Sequence, residues 1–341
     1  MNNLKYMHAQ FHMHSTFSLI DSVSSPEEMV KYCVEEQNTK YIALSDHGQM
    51  SALYHLEQAC EKYNAQYIAG CEFYVDLSAD FPKANGHLTA LAYNDEGKKN
   101  LLYLFYKSWD VITTKWGKKK NHVTWDLLRE RNKGIFVGTG CVSGVVGKCL
   151  LEDRMDLAER HLDWLIDIFG KDNVFAEFVP HQVTHDYDHK KGTFVPNECK
   201  PWCPDGDLQK GYHQWLWDHA VIKRGLKPVI TSDAHFTTKD KHPIQSAILQ
   251  NGEKGWHFLR SHHLLEPDEM YSHLTYLPGF DEKMFNSMVE NAKHFTDKID
   301  YSKVEKTIHL AFKTKNQEES LQLFSKNVLE SRMKEICDCH E

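Results

Sequence analysis

The chain has 341 residues, 41% hydrophobic and 12% aromatic, enough for a sizeable core in one large domain or two. With 40 basic and 48 acidic residues its formal charge is −8, which excludes a protein that coats nucleic acid through bulk charge, but not an enzyme that holds phosphates with metals and a local basic patch. The nine cysteines have no regular spacing, the N-terminus lacks the apolar run of a signal peptide, and no apolar stretch is long enough for a bilayer, so a reducing, cytoplasmic compartment and no membrane are expected.

In chain order, Tyr6 to Met13 reads as a strand. Ser24-Ser25-Pro26-Glu27-Glu28 is a helix start, with a hydroxyl cap, proline in the first turn and acids behind it. Tyr41–Leu44 is a short buried strand stopped by Ser45-Asp46-His47-Gly48, and a helix follows to about Tyr63. Gln66–Ala69 is a third strand, ending at Gly70-Cys71-Glu72. His87–Ala92 begins a fourth, and a helix spans Asn94 to Trp109. The strands Gly134–Val137, Val174–Phe178 and Pro228–Thr231 continue the rhythm. Such alternation predicts parallel strands with crossover helices, and some seven strands with polar groups at their C-terminal ends predict an α/β fold, a closed or distorted barrel. Lys115–Lys120 reads as a basic loop and residues 185–211 as a polar insertion. From Pro267 the pattern is helical, giving a barrel over 1–266 and a helical extension over 267–341.

The chemistry sits at the strand ends. His12 and His14 share one face of a strand, as two ligands of one metal would, or as two solvated histidines would. Asp233 and His235 repeat that spacing. Asp46-His47-Gly48 directly follows a strand, with Asp46 either a helix cap or a group aimed at the barrel opening. The two oxygens of Glu72 suit it to bridging metals. His87 follows Gly86, and Cys141 lies in a glycine-rich turn before a helix, where a thiolate is stabilised. Ligands drawn from many strand ends point to a site for more than one metal. Asp21, Asp46 and His47 are the candidates to orient or protonate groups around it. In the insertion, His185, His189, Cys199 and Cys203 are candidates for an extra zinc, although their spacing fits no standard module.

The strings FHMHSTFSLIDSVSSPEEMV, IALSDHGQMSALYHLEQAC and IAGCEFYV closely resemble the PHP (polymerase and histidinol phosphatase) domain, more narrowly the one at the N-terminus of bacterial DNA polymerase III alpha subunits. HLTALAYNDEGKKNLLYL, GIFVGTGCVSGVVGKCLLE and VITSDAHF continue the match in order, over roughly residues 6 to 300 with 185–211 outside it. The resemblance implies a distorted (β/α)7 barrel and three divalent metal ions (zinc, manganese or iron) on nine ligands. It would place His12, His14, Glu72 and Asp233 on one metal, Glu72, His87 and Cys141 on a second, and Asp21, His47 and His235 on a third. All nine positions are filled, which implies a working enzyme. The sequence ends near where the polymerase palm would begin in that family, so polymerisation is not expected of this chain alone, which is a free-standing relative or a piece of a longer one.

Three functions follow as expectations. The first is a metal-dependent 3′→5′ exonuclease on single-stranded DNA or 3′ ends, with Lys115, Lys118, Lys119 and Lys120 holding the backbone and Trp116 available for base stacking. The second is a small-molecule phosphatase acting on a monoester such as histidinol phosphate. The third is a non-catalytic, metal-stabilised module whose C-terminal helices dock a DNA polymerase or other replication protein.

Overall fold

The computed structural model describes residues 6–302 apart from 20, 78–84, 111, 116–117, 189–192 and 251–261. Eleven strands and eleven α-helices are distributed along it. The first strands and helices are β1 (Ala9–Gln10), α1 (Pro26–Glu35), β2 (Tyr41–Leu44), α2 (Leu53–Lys62), β3 (Gln66–Asp76), β4 (Asn85–Ala92) and α3 (Asp95–Ser108). A hairpin, β5 (Ile112–Lys115) and β6 (Lys118–Asn121), leads to α4 (Trp125–Glu130), β7 (Ile135–Gly138), α5 (Gly147–Leu151), α6 (Met155–Phe169) and β8 (Val174–Phe178). A second hairpin, β9 (His185–Asp188) and β10 (Thr193–Pro196), precedes α7 (Leu208–Leu216), β11 (Lys227–Ile230) and α8 (His242–Gln250). The helices α9 (Pro267–Leu274), α10 (Glu282–Glu290) and α11 (Lys293–Thr296) complete the described chain.

Seven strands form one sheet in the order β1-β2-β3-β4-β7-β8-β11. Its two edges meet. Met13, just past β1, bridges Ala234, just past β11, with His14 N donating to Ala234 O at 2.8 Å and Asp233 N to His12 O at 2.9 Å. The distorted seven-stranded barrel is therefore closed at its mouth by the two segments that carry His12, His14, Asp233 and His235.

The strands are not all parallel. β4 runs antiparallel to both β3 and β7, while the other neighbours are parallel. The connection from β3 to β4 is too short for a crossover helix, so the chain must double back. This reversal has a functional consequence: the beginning of β4, where His87 lies, falls at the same mouth as the C-terminal ends of the other six. β3 also runs longer than its apolar pattern, through Asp76, so Glu72 lies within a strand rather than past one. β1 is short, Ala9–Gln10, and Met13 beyond it pairs with Ala234 only through an isolated bridge.

The barrel interior is filled from below. Phe11, Ala43, Ile68, Leu91, Phe136, Phe175 and Val229, one from each strand or its immediate extension, form an apolar layer, and Phe295 of α11 plugs it. The layer above follows from the two-residue period of the strands and is small or polar: Thr89, Gly138, Glu177 and Thr231. Helix α1 begins as its sequence dictates, with a Ser25–Glu28 capping box and Pro26 in the first turn.

Two sequence expectations need correction. Lys115–Lys120 is a β-hairpin rather than a loop, with Lys115 opposite Lys118. Trp116 and the side chains of Lys115, Lys118, Lys119 and Lys120 lie outside the described residues. Within the 185–211 stretch β9 and β10 pair antiparallel, and its end is the start of α7. There Gly211 packs so tightly on Trp202 and Cys203 that a Cβ would meet the Trp202 carbonyl oxygen at 2.7 Å. Among the described residues from Pro267 the chain forms α9, α10 and α11, and 303–341 lie outside the described residues. Met270, Leu274, Phe285 and Met288 of α9 and α10 belong to the main core cluster.

Candidate metal centre

The mouth of the barrel gathers residues from five segments of chain. His12 Nε2 and His14 Nε2 are 3.2 Å apart, Asp233 Oδ1 lies 3.4 Å and 3.2 Å from them, and the Glu72 carboxylate lies 3.2 Å and 3.6 Å from them. Ligands held at zinc-type bond lengths in a tetrahedron are about 3.3–3.4 Å apart along its edges. The spacing among His12, His14 and Asp233 therefore fits a single cation, with Glu72 approaching His12 through Oε1 and His14 through Oε2.

Their protonation can be deduced from their partners. Ser18 Oγ donates to Asp46 Oδ1 at 2.8 Å, so it can only accept from His14 Nδ1, 3.0 Å away. His235 Nδ1 faces the Asp233 carbonyl oxygen at 3.0 Å, and His12 Nδ1 faces Glu177 Oε1 at 2.6 Å. A carbonyl and a carboxylate only accept. In the neutral ring all three histidines thus carry the proton on Nδ1 and present a bare Nε2, the form that binds metals.

The second half of the cluster centres on Glu72 and His47. Glu72 Oε2 is 2.6 Å from His47 Nδ1, and Oε1 is 3.2 Å from His87 Nδ1. Both Glu72 oxygens, His47 Nδ1 and Asp21 Oδ1 are buried without a hydrogen-bond partner, so the short distances reflect convergence without hydrogen-bond geometry. A buried carboxylate in that state is costly unless a cation completes it. Asp21 Oδ2 lies 3.2 Å from His47 Nε2, and the His47 ring packs between those of His14, at 4.2 Å, and Tyr74, at 5.9 Å.

Three groups of ligand atoms lie close enough together to hold a metal ion: His12 with His14 and Asp233; His47 with Glu72 and His87; His14 with His47 and His235. Asp21 adjoins them through His47. The Cys141 sulfur falls in none of the three, although its turn is pinned beside His87, whose backbone pairs with Ser143 and Val145. Nor do His185, Cys199 or Cys203 fall in such a group, and His189 lies outside the described residues.

The charges compensate one another. Burial opposes ionisation of Glu72, yet His87, His12 and His47 hold its pKa well below the usual carboxylate range. Burial of Asp233 is likewise outweighed by His12, His14 and His235. Burial works against a charged His12, but Asp233, Glu177 and Glu72 hold its pKa well above the ordinary imidazole value. Metal binding to such a cluster displaces protons from imidazoles.

Asp46, a candidate for chemistry, is placed elsewhere. Its carboxylate accepts from Ser15 N at 2.6 Å, Ser15 Oγ at 2.9 Å and Ser18 Oγ at 2.8 Å, beneath His14 rather than among the imidazoles. Burial pushes its pKa up to about 6 against those hydrogen bonds. Sequence reading passed over Ser18, Glu177 and His262, whose ring lies 5.2 Å from that of His235. The only signal for Glu177 was an acid inside the apolar run VFAEFV. The mouth opens on one side: His12 and His14 are fully buried, whereas the side chains of Asp21, His47 and His87 keep 20%, 17% and 21% of their surface exposed.

A barrel whose edges meet at the mouth, with an acid–imidazole cluster gathered there, is the architecture that the motifs' resemblance implies. The family profile of the PHP domain matches residues 10–181, half of the chain, and the protein belongs to the PHP domain family. Among its relatives, the DNA polymerase III alpha subunit of Treponema pallidum is 27% identical over 261 residues, covering 74% of this chain and 20% of that protein. The alpha subunit of Thermus aquaticus is 26% identical over 309 residues, covering 86% and 23%. The chain thus spans less than a quarter of the length of these polymerase subunits. A solved structure of a candidate metal-dependent phosphoesterase from Bifidobacterium adolescentis aligns at 12% identity with a TM-score of 0.32, covering 82% of this chain and 98% of that one. Among the described residues no helix is long and apolar enough to cross a membrane.

Proposed function

We propose that this protein is a cytoplasmic metal-dependent phosphoesterase, and most specifically a 3′→5′ exonuclease on single-stranded DNA with a trinuclear centre. The observation that carries the reading is the set of buried, converging donor atoms at the mouth: Nε2 of His12 and of His14, Asp233 Oδ1 at tetrahedral-edge spacing, and a Glu72 carboxylate with no hydrogen-bond partner. In this reading His12, His14, Glu72 and Asp233 hold one ion, Glu72 and His87 with Cys141 a second, and Asp21, His47 and His235 a third. The phosphoesterase unit runs over residues 1–266, with the helices from 267 as its extension. Bound divalent ions (zinc, manganese or iron) would supply a water of lowered pKa and neutralise the phosphate oxygens.

The chain's own residues do the rest. Asp21 and His47, on the open side and 3.2 Å apart, are placed to orient a group entering the mouth. Asp46 acts through Ser18, holding His14 in its ligand tautomer. The lysines of the β5–β6 hairpin are assigned to the phosphate backbone and Trp116 to base stacking. DNA as substrate and a DNA polymerase as partner rest on the relatives being polymerase subunits.

Single-stranded DNA labelled at its 5′ end, incubated with the zinc- or manganese-loaded protein, tests this. Stepwise shortening from the 3′ end, abolished in His14→Ala, is expected. Turnover of histidinol phosphate with intact DNA would replace the exonuclease by a monoesterase.

A further inference from the structure

Glu177 stands one layer below the candidate ligands, fully buried. Oε1 accepts from His12 Nδ1 at 2.6 Å and from Thr231 Oγ1 at 2.7 Å. Oε2 accepts from Gly140 N at 2.9 Å and from Thr89 Oγ1 at 3.3 Å. Space for it is made by Gly138, where a Cβ would run into Oε2 and meet the Phe175 ring at 2.6 Å. Among the described residues His12 is its ion-pair partner, and no lysine or arginine pairs with it.

An isolated buried carboxylate is costly, and a purely structural role in this layer is better served by an apolar side chain such as Phe175 two residues earlier. The negative charge has to be offset through His12, on whose far nitrogen the other donor atoms converge. We propose that Glu177 is a positioning residue for the metal centre: it holds the His12 proton on Nδ1, fixes the ring, and so keeps Nε2 bare and basic toward a metal. This rests on the metal-centre reading above and adds a residue outside the nine ligands.

The hydrogen-bond pattern makes the claim sharp. In Glu177→Gln the Gly140 N–H cannot reverse, so the amide oxygen must take the Oε2 place and the NH2 group the Oε1 place. There the amide donates toward His12 Nδ1, which must become an acceptor. The His12 proton then moves to Nε2 and blocks the position a metal would occupy. The side chain is isosteric, so the fold is retained while the tautomer inverts.

Two measurements on the full-length chain test it: zinc affinity by competition with a chromophoric chelator, and imidazole ¹H–¹⁵N NMR of the metal-free protein with His12→Ala as the assignment control. In the wild type a downfield proton on His12 Nδ1 is expected. In Glu177→Gln the Nδ1 proton is lost and zinc affinity falls about 10–100-fold, the range for loss of such a partner. Wild-type protein that binds no zinc would overturn the metal centre itself. Zinc binding by Glu177→Gln equal to wild type, with the proton still on Nδ1, would overturn the positioning role and leave the metal centre standing. Should the variant fail to fold, the wild-type spectrum decides alone: a His12 ring without a proton on Nδ1 refutes the proposal.

Discussion

Phe295 offers the clearest test of how the barrel is held together. It comes from α11, far along the chain, yet its ring lies 5.4 Å from Phe136, 5.4 Å from Phe175 and 6.3 Å from Phe11, and only 1% of it is exposed. Truncation to alanine removes the plug beneath three rings held on β1, β7 and β8 or their extensions. Those rings cannot collapse into the gap without breaking strand pairing, so the cost belongs in the upper part of the usual Phe→Ala range of about 3–5 kcal/mol. At a urea slope of about 3 kcal/mol per M, a loss of about 4 kcal/mol lowers the unfolding midpoint by a little over ~1 M. Phe295→Leu keeps most of the volume and should cost about 1 kcal/mol. Urea denaturation followed by tryptophan fluorescence reads both. A midpoint within ~0.3 M of wild type for the alanine variant would mean that α11 does not close the barrel, and the interior packing described above would be wrong.

Other outcomes follow from single contacts. Ser18→Ala removes the oxygen that accepts from His14 Nδ1 and from the His47 backbone N–H and donates to Asp46; zinc affinity should drop about 10–100-fold and apo stability by about 1–3 kcal/mol, and unchanged affinity in a chelator competition would refute the Asp46–Ser18–His14 relay. Gly138→Ala drives a methyl into the Glu177 carboxylate and the Phe175 ring and should destabilise by about 1–3 kcal/mol in the same urea assay. Burial disfavours the charged form of Glu159, but Lys223, Arg224 and His219 bring its pKa down to about 2. Because that pKa is depressed, its stabilisation is present above about pH 4.5 and is lost as pH falls toward 2; discounted for solvent screening it amounts to about 1–2 kcal/mol. Glu159→Gln should therefore flatten the acid limb of a stability-against-pH curve, and an unchanged limb would show the network contributes nothing.

Much of this was legible in the sequence, for identifiable reasons. Tyr41–Leu44 and Val174–Phe178 are short apolar runs that can only be buried strands, and Ser25-Pro26-Glu27-Glu28 has one sensible reading as a helix start. The reversal of β4 was not legible from its composition, because a strand buried on both faces looks the same in either direction. Glu72 was read at a strand end because the apolar run pauses at Gly70, whereas pairing with β4 carries β3 on to Asp76. His12, His14, Asp233 and His235 could be grouped by their two-residue spacing. Glu177 could not, since its partners Thr89, Gly140 and Thr231 lie far from it in sequence and only the barrel brings them together. Asp46 is adjacent to His47 in sequence, but successive side chains point apart, and this sends the carboxylate to Ser15 and Ser18 instead of the mouth.

Anomalous diffraction at the zinc edge, from crystals of the protein grown with zinc, tests the central claim most directly. The account predicts three peaks: one within ligand distance of His12 Nε2, His14 Nε2 and Asp233 Oδ1, one beside Glu72 and His87, and one beside Asp21, His47 and His235. Well-ordered protein without a peak at the barrel mouth would contradict it.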